Sequence, residues 1–193
     1  MRKIVNRIDS VFNHKKLRTL ISGFRYPICL MLLVTLHPHI KHSLLLQGFI
    51  VSLLGELIQV WSFASLYKNK SLAVKGLYSL TRNPMYIGRF FLLLGLVLLL
   101  DEIWIIPVFL MLYYFYMINR VKREETVLHE IFREEYKSYC SMVNRFVPSF
   151  KQVQLKSLAF FRWKLFFQNH GHWNFIGFLS IYLFFYLFTI HKG

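Results

Sequence analysis

The sequence predicts an all-α, polytopic membrane helix bundle of about five transmembrane helices, with amphipathic helices on its cytoplasmic side. Three observations predict it. Apolar residues fill 55% of the 193 positions and charged residues 17%, a balance outside that of ordinary soluble domains. Several apolar runs approach the 20 or so residues a helix needs to cross the hydrocarbon. The basic residues gather in alternate connecting segments, as they do around membrane spans.

Taken in chain order, residues 1–23 place Ile4, Ile8, Val11, Phe12 and Leu20 near helical spacing among Arg2, Lys3, Arg7, Lys15, Lys16 and Arg18. That pattern predicts an interfacial amphipathic segment on an anionic leaflet. It has no apolar core before a small-residue cleavage site, so a signal peptide is rejected. The run 24–36 is short and begins beside Arg25, and it spans only if Arg25 snorkels and HPHIKH (37–42) completes the helix or its turn. Residues 44–67, 85–100, 103–119 and 173–190 are the firmer spans. Asp101 and Glu102 split the apolar stretch 85–119 and predict a tight helical hairpin, with its turn outside the hydrocarbon.

If five spans alternate, residues 1–25, 68–84 and 120–172 share one side and hold 21 of the 24 Lys and Arg. The positive-inside rule makes that side cytoplasmic and puts the carboxyl terminus outside. A net charge of +15 would point to nucleic acid in a soluble chain, but 20 Phe, 11 Tyr and the apolar runs favour a basic membrane protein with no nucleic-acid partner. The basic residues from Lys151 to Lys164, interleaved with Phe160, Phe161 and Trp163, read as a surface for lipid headgroups. Cys29 and Cys140 make no disulfide framework and no zinc spacing, and His37, His39 and His42 read as a solvated turn, so no metal is expected.

Two cytoplasmic segments carry patterns that packing in lipid does not require. In KGLYSLTRNPMYIG (75–88), Asn83 before Pro84 favours an extended or turn conformation, and Pro84 suits the first turn of the next helix. A polar loop thus feeds a helix amino terminus, a natural seat for carboxylate or phosphate, and Arg82 adds a bidentate donor. The plainer reading is a snorkelling Arg and a helix-starting Pro. In RVKREETVLHEIFREEYKSYCSMVNRFVP (120–148), Val121, Leu128, Phe132, Tyr139 and Val143 recur at helical spacing and predict an amphipathic helix. Arg120 and Glu124 share one face of it. Glu124 and Glu125, adjacent near the membrane boundary, must be solvated, paired or engaged by a cation; Glu134 and Glu135 read as solvated. Inside the second span, Glu56 and Gln59 could line an acceptor channel, or Glu56 could pair with Arg89 of the next span.

GLYSLTRNPMYIG resembles the GpY...RHPxYxG element of the isoprenylcysteine carboxyl methyltransferase family, and residues 120–148 resemble its RxxxEExxLxxxFxxxYxxYxxxVxRFxP element. GELIQVWSFAS (55–65) approximates the upstream GExLRxWA-like stretch of the same family. The resemblance covers residues 55–148. It implies an integral-membrane, S-adenosylmethionine-dependent methyltransferase with a lipophilic acceptor entering from the bilayer, most simply the carboxylate of a prenylcysteine-like or other isoprenoid substrate. The implied location is the cytoplasmic membrane of a bacterium or the endoplasmic reticulum of a eukaryote.

Carried over by position, Arg82, Asn83, Pro84, Tyr86 and Gly88 would form the cofactor loop, and Glu124 and Glu125 the acidic pair facing the cofactor's cationic part. Arg120 matches the arginine one turn before that pair. Tyr78 or Tyr86 could lie against adenine or sulfonium, and Arg120 would orient a carboxylate acceptor, with Glu124 beside it. A lipid amine would instead need a base or water path to take its proton. The chain departs from the pattern at Asn83, where the family has His, and at Gln59, where it usually has Arg; Asn cannot carry a proton near neutral pH.

The implied organisation is an interfacial segment (1–23), a methyltransferase core (24–148), and a basic linker with an extra transmembrane helix (149–193). Three other functions compete. One is a phospholipid N-methyltransferase. Another is a non-catalytic membrane scaffold, for which Asn83 is the best argument. The last is an NADPH-dependent membrane reductase, since sterol reductases share a similar carboxyl-terminal motif but are much longer.

Overall fold

The computed structural model describes residues 14–68, 71–150 and 155–190. Most of the interfacial segment expected at the amino terminus, and Lys151 in the linker, lie outside them. The described residues are all helical or irregular, with eight α-helices: α1 (Lys15–Gly23), α2 (Arg25–Leu36), α3 (Leu45–Ser65), α4 (Pro84–Leu98), α5 (Ile105–Met142), α6 (Leu155–Leu158), α7 (Trp163–Gln168) and α8 (Gly171–Ile190). Short 3-10 turns cover His37–His39, His42–Leu44 and Gly76–Ser79.

Among the described residues two segments, His42–Ser65 and Gly171–Ile190, are long and apolar enough to cross a membrane, against the five expected of the whole chain. The reason for the difference is length. The 15 residues of α4 rise only about 22 Å and the 12 of α2 about 18 Å at 1.5 Å per residue. In α5 the apolar stretch gives way to Asn119 and Arg120 within the same helix.

Helix α3 sits between α4 and α8 and runs antiparallel to both. Its contact with α4 is made by small residues. A Cβ on Gly48 would strike Leu99 and the carbonyl of Gly95, and one on Gly55 would strike the backbone of Gly88 and Leu92. Gly88 likewise faces Gly55 and Gln59, so the glycine expected in a cofactor loop also lets α4 approach α3 closely. On its other side, α3 meets α8 through Phe49 stacked on Phe178 at 5.5 Å and a buried hydrogen bond of 2.7 Å between Ser52 and Tyr182. Ile40, Leu45, Leu99, Phe178, Tyr182 and Phe185 form the apolar core at the end far from Pro84.

Helix α5 closes the row against α4, where Phe90 packs on Phe109 and Tyr113 and the Tyr113 hydroxyl donates to the Tyr86 carbonyl at 2.6 Å. It then continues past Arg120, but not as the single helix to residue 148 that the periodicity predicts. Arg133 has φ 41° and ψ −111°, close to the first central residue of a type II′ turn, a position that favours glycine. The chain bends there, the helix stops at Met142, and Tyr136, Tyr139 and Val143 fold back onto Leu72.

The far hairpin turn behaves as expected. Asp101 and Glu102 are exposed between α4 and α5, and Lys41 reaches Asp101 at 2.6 Å.

Candidate active site

The loop before α4 is held from outside by the segment after α5. Arg82 donates its backbone N–H to the carbonyl of Asn144 at 2.9 Å, and Ser149 donates to that of Leu80 at 2.8 Å. Thr81 Oγ1 donates to the Arg145 carbonyl at 3.1 Å, and the Tyr139 hydroxyl to the Tyr78 carbonyl at 2.6 Å. Burial, then the neighbouring Tyr136, pushes the Tyr139 phenol well above its ordinary range, so it stays a proton donor in this bond. Residues 78–82 of the loop are thereby fixed against residues 139–149.

This pairing brings three side chains onto one carboxylate. Arg82 Nη2 lies 3.6 Å from Glu125 Oε1, Arg145 Nη2 contacts Glu125 Oε2, and Asn83 Nδ2 donates to Glu125 Oε1 at 3.3 Å. The side chains of Arg82 and Glu125 are 15% and 11% exposed, so both charges are largely withdrawn from water and stand only because they face each other. Two cations on one carboxylate leave the cluster with net positive charge. Asn83 also donates to the Arg145 carbonyl at 3.2 Å. It stands at the N-cap of α4 without a side-chain cap bond, although Asn is among the favoured caps. Its amide serves the carboxylate instead, and the amino terminus of α4, begun by the fully buried Pro84, is left without that acceptor.

Glu124 and Glu125 diverge. Glu124, 43% exposed, pairs with Arg120 at 2.9 Å, and Arg120 Nε also donates to the Tyr86 hydroxyl at 3.3 Å. Burial opposes the Arg120 charge, but the Tyr86 and Glu124 contacts outweigh it and raise its basicity further. The ring of Tyr86 carries the Arg89 guanidinium 5.3 Å from its centre. Tyr78 is buried, and burial, followed by Tyr139 and Glu124, pushes its phenol up.

Of the residues the sequence singles out, Arg82, Asn83 and Glu125 therefore meet. Arg120, Glu124 and Tyr86 form a second, adjoining group, Pro84 starts the helix beneath both, and Gly88 faces α3. A hollow of about 390 Å³ borders the wall made by residues 72–79 and 135–143, with Ser79, Glu135, Tyr139 and Val143 in its lining.

Arg145 is the site residue that sequence reasoning missed. It lies within NRFVP, inside a motif already matched, and its signal was a fixed arginine in that motif. Glu56 and Arg89 do not pair: Glu56 receives hydrogen bonds from Asn174 at 2.9 Å and 3.3 Å and from Gln59 at 3.4 Å, whereas Arg89 donates to the Tyr116 hydroxyl.

A methyl donor such as S-adenosylmethionine carries a carboxylate, an ammonium and a sulfonium, and one observation tests the fit of this donor set. Arg82 Nε is buried with no hydrogen-bond partner, an unmet donor beside an uncapped helix start. A carboxylate would satisfy both, and Glu124 or Glu125 is at hand for an ammonium. The residues fit such a group.

No curated protein and no solved structure matches the chain. Residues 44–135, just under half of it, match the family model for phospholipid methyltransferases, a family of the same membrane methyltransferase superfamily as the isoprenylcysteine carboxyl methyltransferases.

Proposed function

We propose that the chain is an integral-membrane, S-adenosylmethionine-dependent methyltransferase acting on a lipophilic acceptor. The observation that carries this reading is the convergence of Arg82, Asn83, Glu125 and Arg145 from two stretches of chain over 40 residues apart, at one end of a helix row that carries the family match. In this reading Arg82 and the first N–H groups of α4 hold the donor's carboxylate, while Glu125 or Glu124 holds its ammonium. Bound there, the sulfonium supplies an electrophilic methyl group. Arg120, nearly half exposed one turn before the acidic pair, orients the acceptor. Positioning of this kind accounts for about 7 to 11 kcal/mol of barrier in well-oriented reactions, so no covalent enzyme nucleophile is required.

The helices α2, α3, α4, α5 and α8 are taken as five spans, the shorter ones completed by their flanks. The amino terminus and the site are cytoplasmic, and the core of residues 24–148 is followed by a basic linker and an added span.

Two acceptors are supported by different observations. Arg120 next to the acidic pair suits a carboxylate of prenylcysteine type. The family match to phospholipid methyltransferases favours a headgroup amine, for which Glu124 would take the proton.

Calorimetric titration of the detergent-purified protein with S-adenosylmethionine and with NADPH tests the donor. Saturable binding of the first, weakened by Arg82→Ala, is expected. Binding of NADPH alone, or of neither, would sink the assignment. Transfer of a labelled methyl group to prenylcysteine analogues and to phosphatidylethanolamine then separates the acceptors, because a methyl ester is lost in mild base and an N-methyl group is not.

A further inference from the structure

At the end of α3 nearest the candidate site, the chain builds a second cationic feature that methyl transfer does not use. Phe160 is clamped to the last turn of α3: its carbonyl accepts from Trp61 Nε1 at 3.1 Å and from Ser65 Oγ at 3.0 Å, and the next anchor, Arg162 N–H to the Ala64 carbonyl, measures 3.1 Å. The ring is thus fixed where a helix long and apolar enough to cross a membrane comes to its end. Two cations converge on that ring, Lys75 Nζ at 5.4 Å and the Arg162 guanidinium at 5.3 Å from its centre. Both are exposed, and among the described residues neither has a carboxylate within ion-pair distance. Residues 147–173 contain no Asp or Glu at all. Among the described residues no carboxylate offsets these two charges, and an external anion would complement them.

The surroundings indicate where the anion comes from. Leu155 is 82% and Trp163 64% exposed, and Val147, Phe150 and Phe167 are exposed as well. Large apolar and aromatic side chains projecting beside lysine and arginine, at the depth where a span emerges, match a bilayer interface rather than open water.

We infer that Lys75, Phe160 and Arg162 form a binding site for the phosphate of an anionic membrane phospholipid, with Leu155 and Trp163 seated among its neighbours. The site rests on the chain's lying in a membrane and on nothing about methyl transfer. Its test reads lipid retention and leaves donor binding aside.

The full-length protein would be placed in nanodiscs of phosphatidylcholine mixed with phosphatidylglycerol, and the co-released lipid counted by native mass spectrometry. Wild type should retain phosphatidylglycerol in preference to phosphatidylcholine, and the preference should fall as salt is raised. Lys75→Gln with Arg162→Gln should reduce it on the order of ten- to thirtyfold, given what each basic residue contributes at an anionic surface. Arg162→Lys, which keeps the charge, should retain most of it, and Lys137→Gln, whose lysine pairs with Glu134, should change nothing. Equal retention of both lipids by wild type, a preference insensitive to salt, or a preference intact in the double Gln variant would overturn the site. Displacement of the lipid by millimolar inorganic phosphate would assign it to free phosphate instead. If the double variant does not fold, the salt response and the Arg162→Lys variant still decide.

Discussion

Glu125 and Glu56 are both carboxylates withdrawn from water, and their partners could hardly differ more. Glu125 faces two guanidinium groups and one amide at the mouth of the helix row. Glu56, fully buried inside a candidate span, meets only the neutral amides of Asn174 and Gln59. Among the described residues no cation lies within ion-pair distance of it. A carboxylate ringed by cations, with an unmet arginine donor beside it, is arranged to exchange partners with a zwitterionic ligand. One held by amides is arranged to tie two helices together. Burial by itself does not mark a functional acid; the charge of its neighbours does.

The largest expected effect comes from removing the acid at the mouth. Glu125→Ala leaves Arg82 and Arg145 facing each other with no counter-charge, and about 3 kcal/mol of stability should go with it. Affinity for S-adenosylmethionine should drop roughly 10- to 100-fold, the scale of one charged hydrogen-bond group. Glu56→Gln keeps the shape and, with its one oxygen at the Oε2 position, the bonds from Asn174 and Gln59 there; it should leave that affinity within about threefold, the change expected when no charged partner is lost. Calorimetry on both variants decides. A Glu56→Gln protein that fails to bind while Glu125→Ala binds normally would reverse the roles of the two acids.

Next in size is the tie between α3 and α8. Asn174→Leu deprives the fully buried Glu56 of its nearest donor and should destabilise the protein by about 1–3 kcal/mol, read as thermal unfolding in detergent. Pairing it with Glu56→Leu should recover part of that loss, because the buried carboxylate goes with its donor and only the Gln59 amide is left without its partner. Costs that simply add would show that the two residues do not interact. Donor affinity should be unchanged throughout, which separates this cluster from the one at the mouth.

How far each cluster could be read in advance follows from how its partners are brought together. Arg82, Asn83 and Glu125 were legible because each lies in a short motif whose spacing stands out against an apolar background. Arg145 lies in such a motif too, but its meeting with Glu125 was not legible, for a straight helix from residue 125 to 145 would separate them by about 30 Å at 1.5 Å per residue; only the bend at Arg133 returns it. Asn174 was invisible for another reason. It is one polar residue near the start of a 20-residue apolar helix, and its partner lies 118 positions away, a distance no local periodicity spans. The bundle and its far turn at Asp101 were readable from hydropathy. The number of crossings was not fixed by it, because α4 is only 15 residues long and α5 runs out of the apolar region without a break in helix.

A smaller effect is expected at Asn83. Asn83→Ala removes the amide shared by Glu125 and the Arg145 carbonyl and keeps both arginines in place. The cost should be about 1 kcal/mol, or roughly fivefold in donor affinity, the usual net worth of such a bond. Asn83→Asp should do more harm, since it adds a second anion against Glu125. An Ala variant as impaired as Glu125→Ala would mean that the amide, and not the charge, holds the ligand.

The smallest change is expected from Arg133→Gly, at the bend on which the mouth cluster depends. With φ 41° and ψ −111°, Arg133 occupies backbone space that costs a residue with a Cβ about 1–3 kcal/mol and costs glycine little. Its side chain is exposed, so no burial opposes the exchange. Arg133→Gly should therefore hold or raise the unfolding temperature, by up to the equivalent of about 1 kcal/mol after glycine's greater unfolded-state entropy is subtracted, and should leave donor binding intact. Arg133→Pro forces φ to about −65° and should straighten or break the return of residues 134–149, removing Arg145 from Glu125 and lowering donor affinity toward that of Glu125→Ala. The two variants thus act on one residue in opposite directions. A Gly variant that loses the ligand would show that the guanidinium of Arg133, rather than its backbone, serves the site.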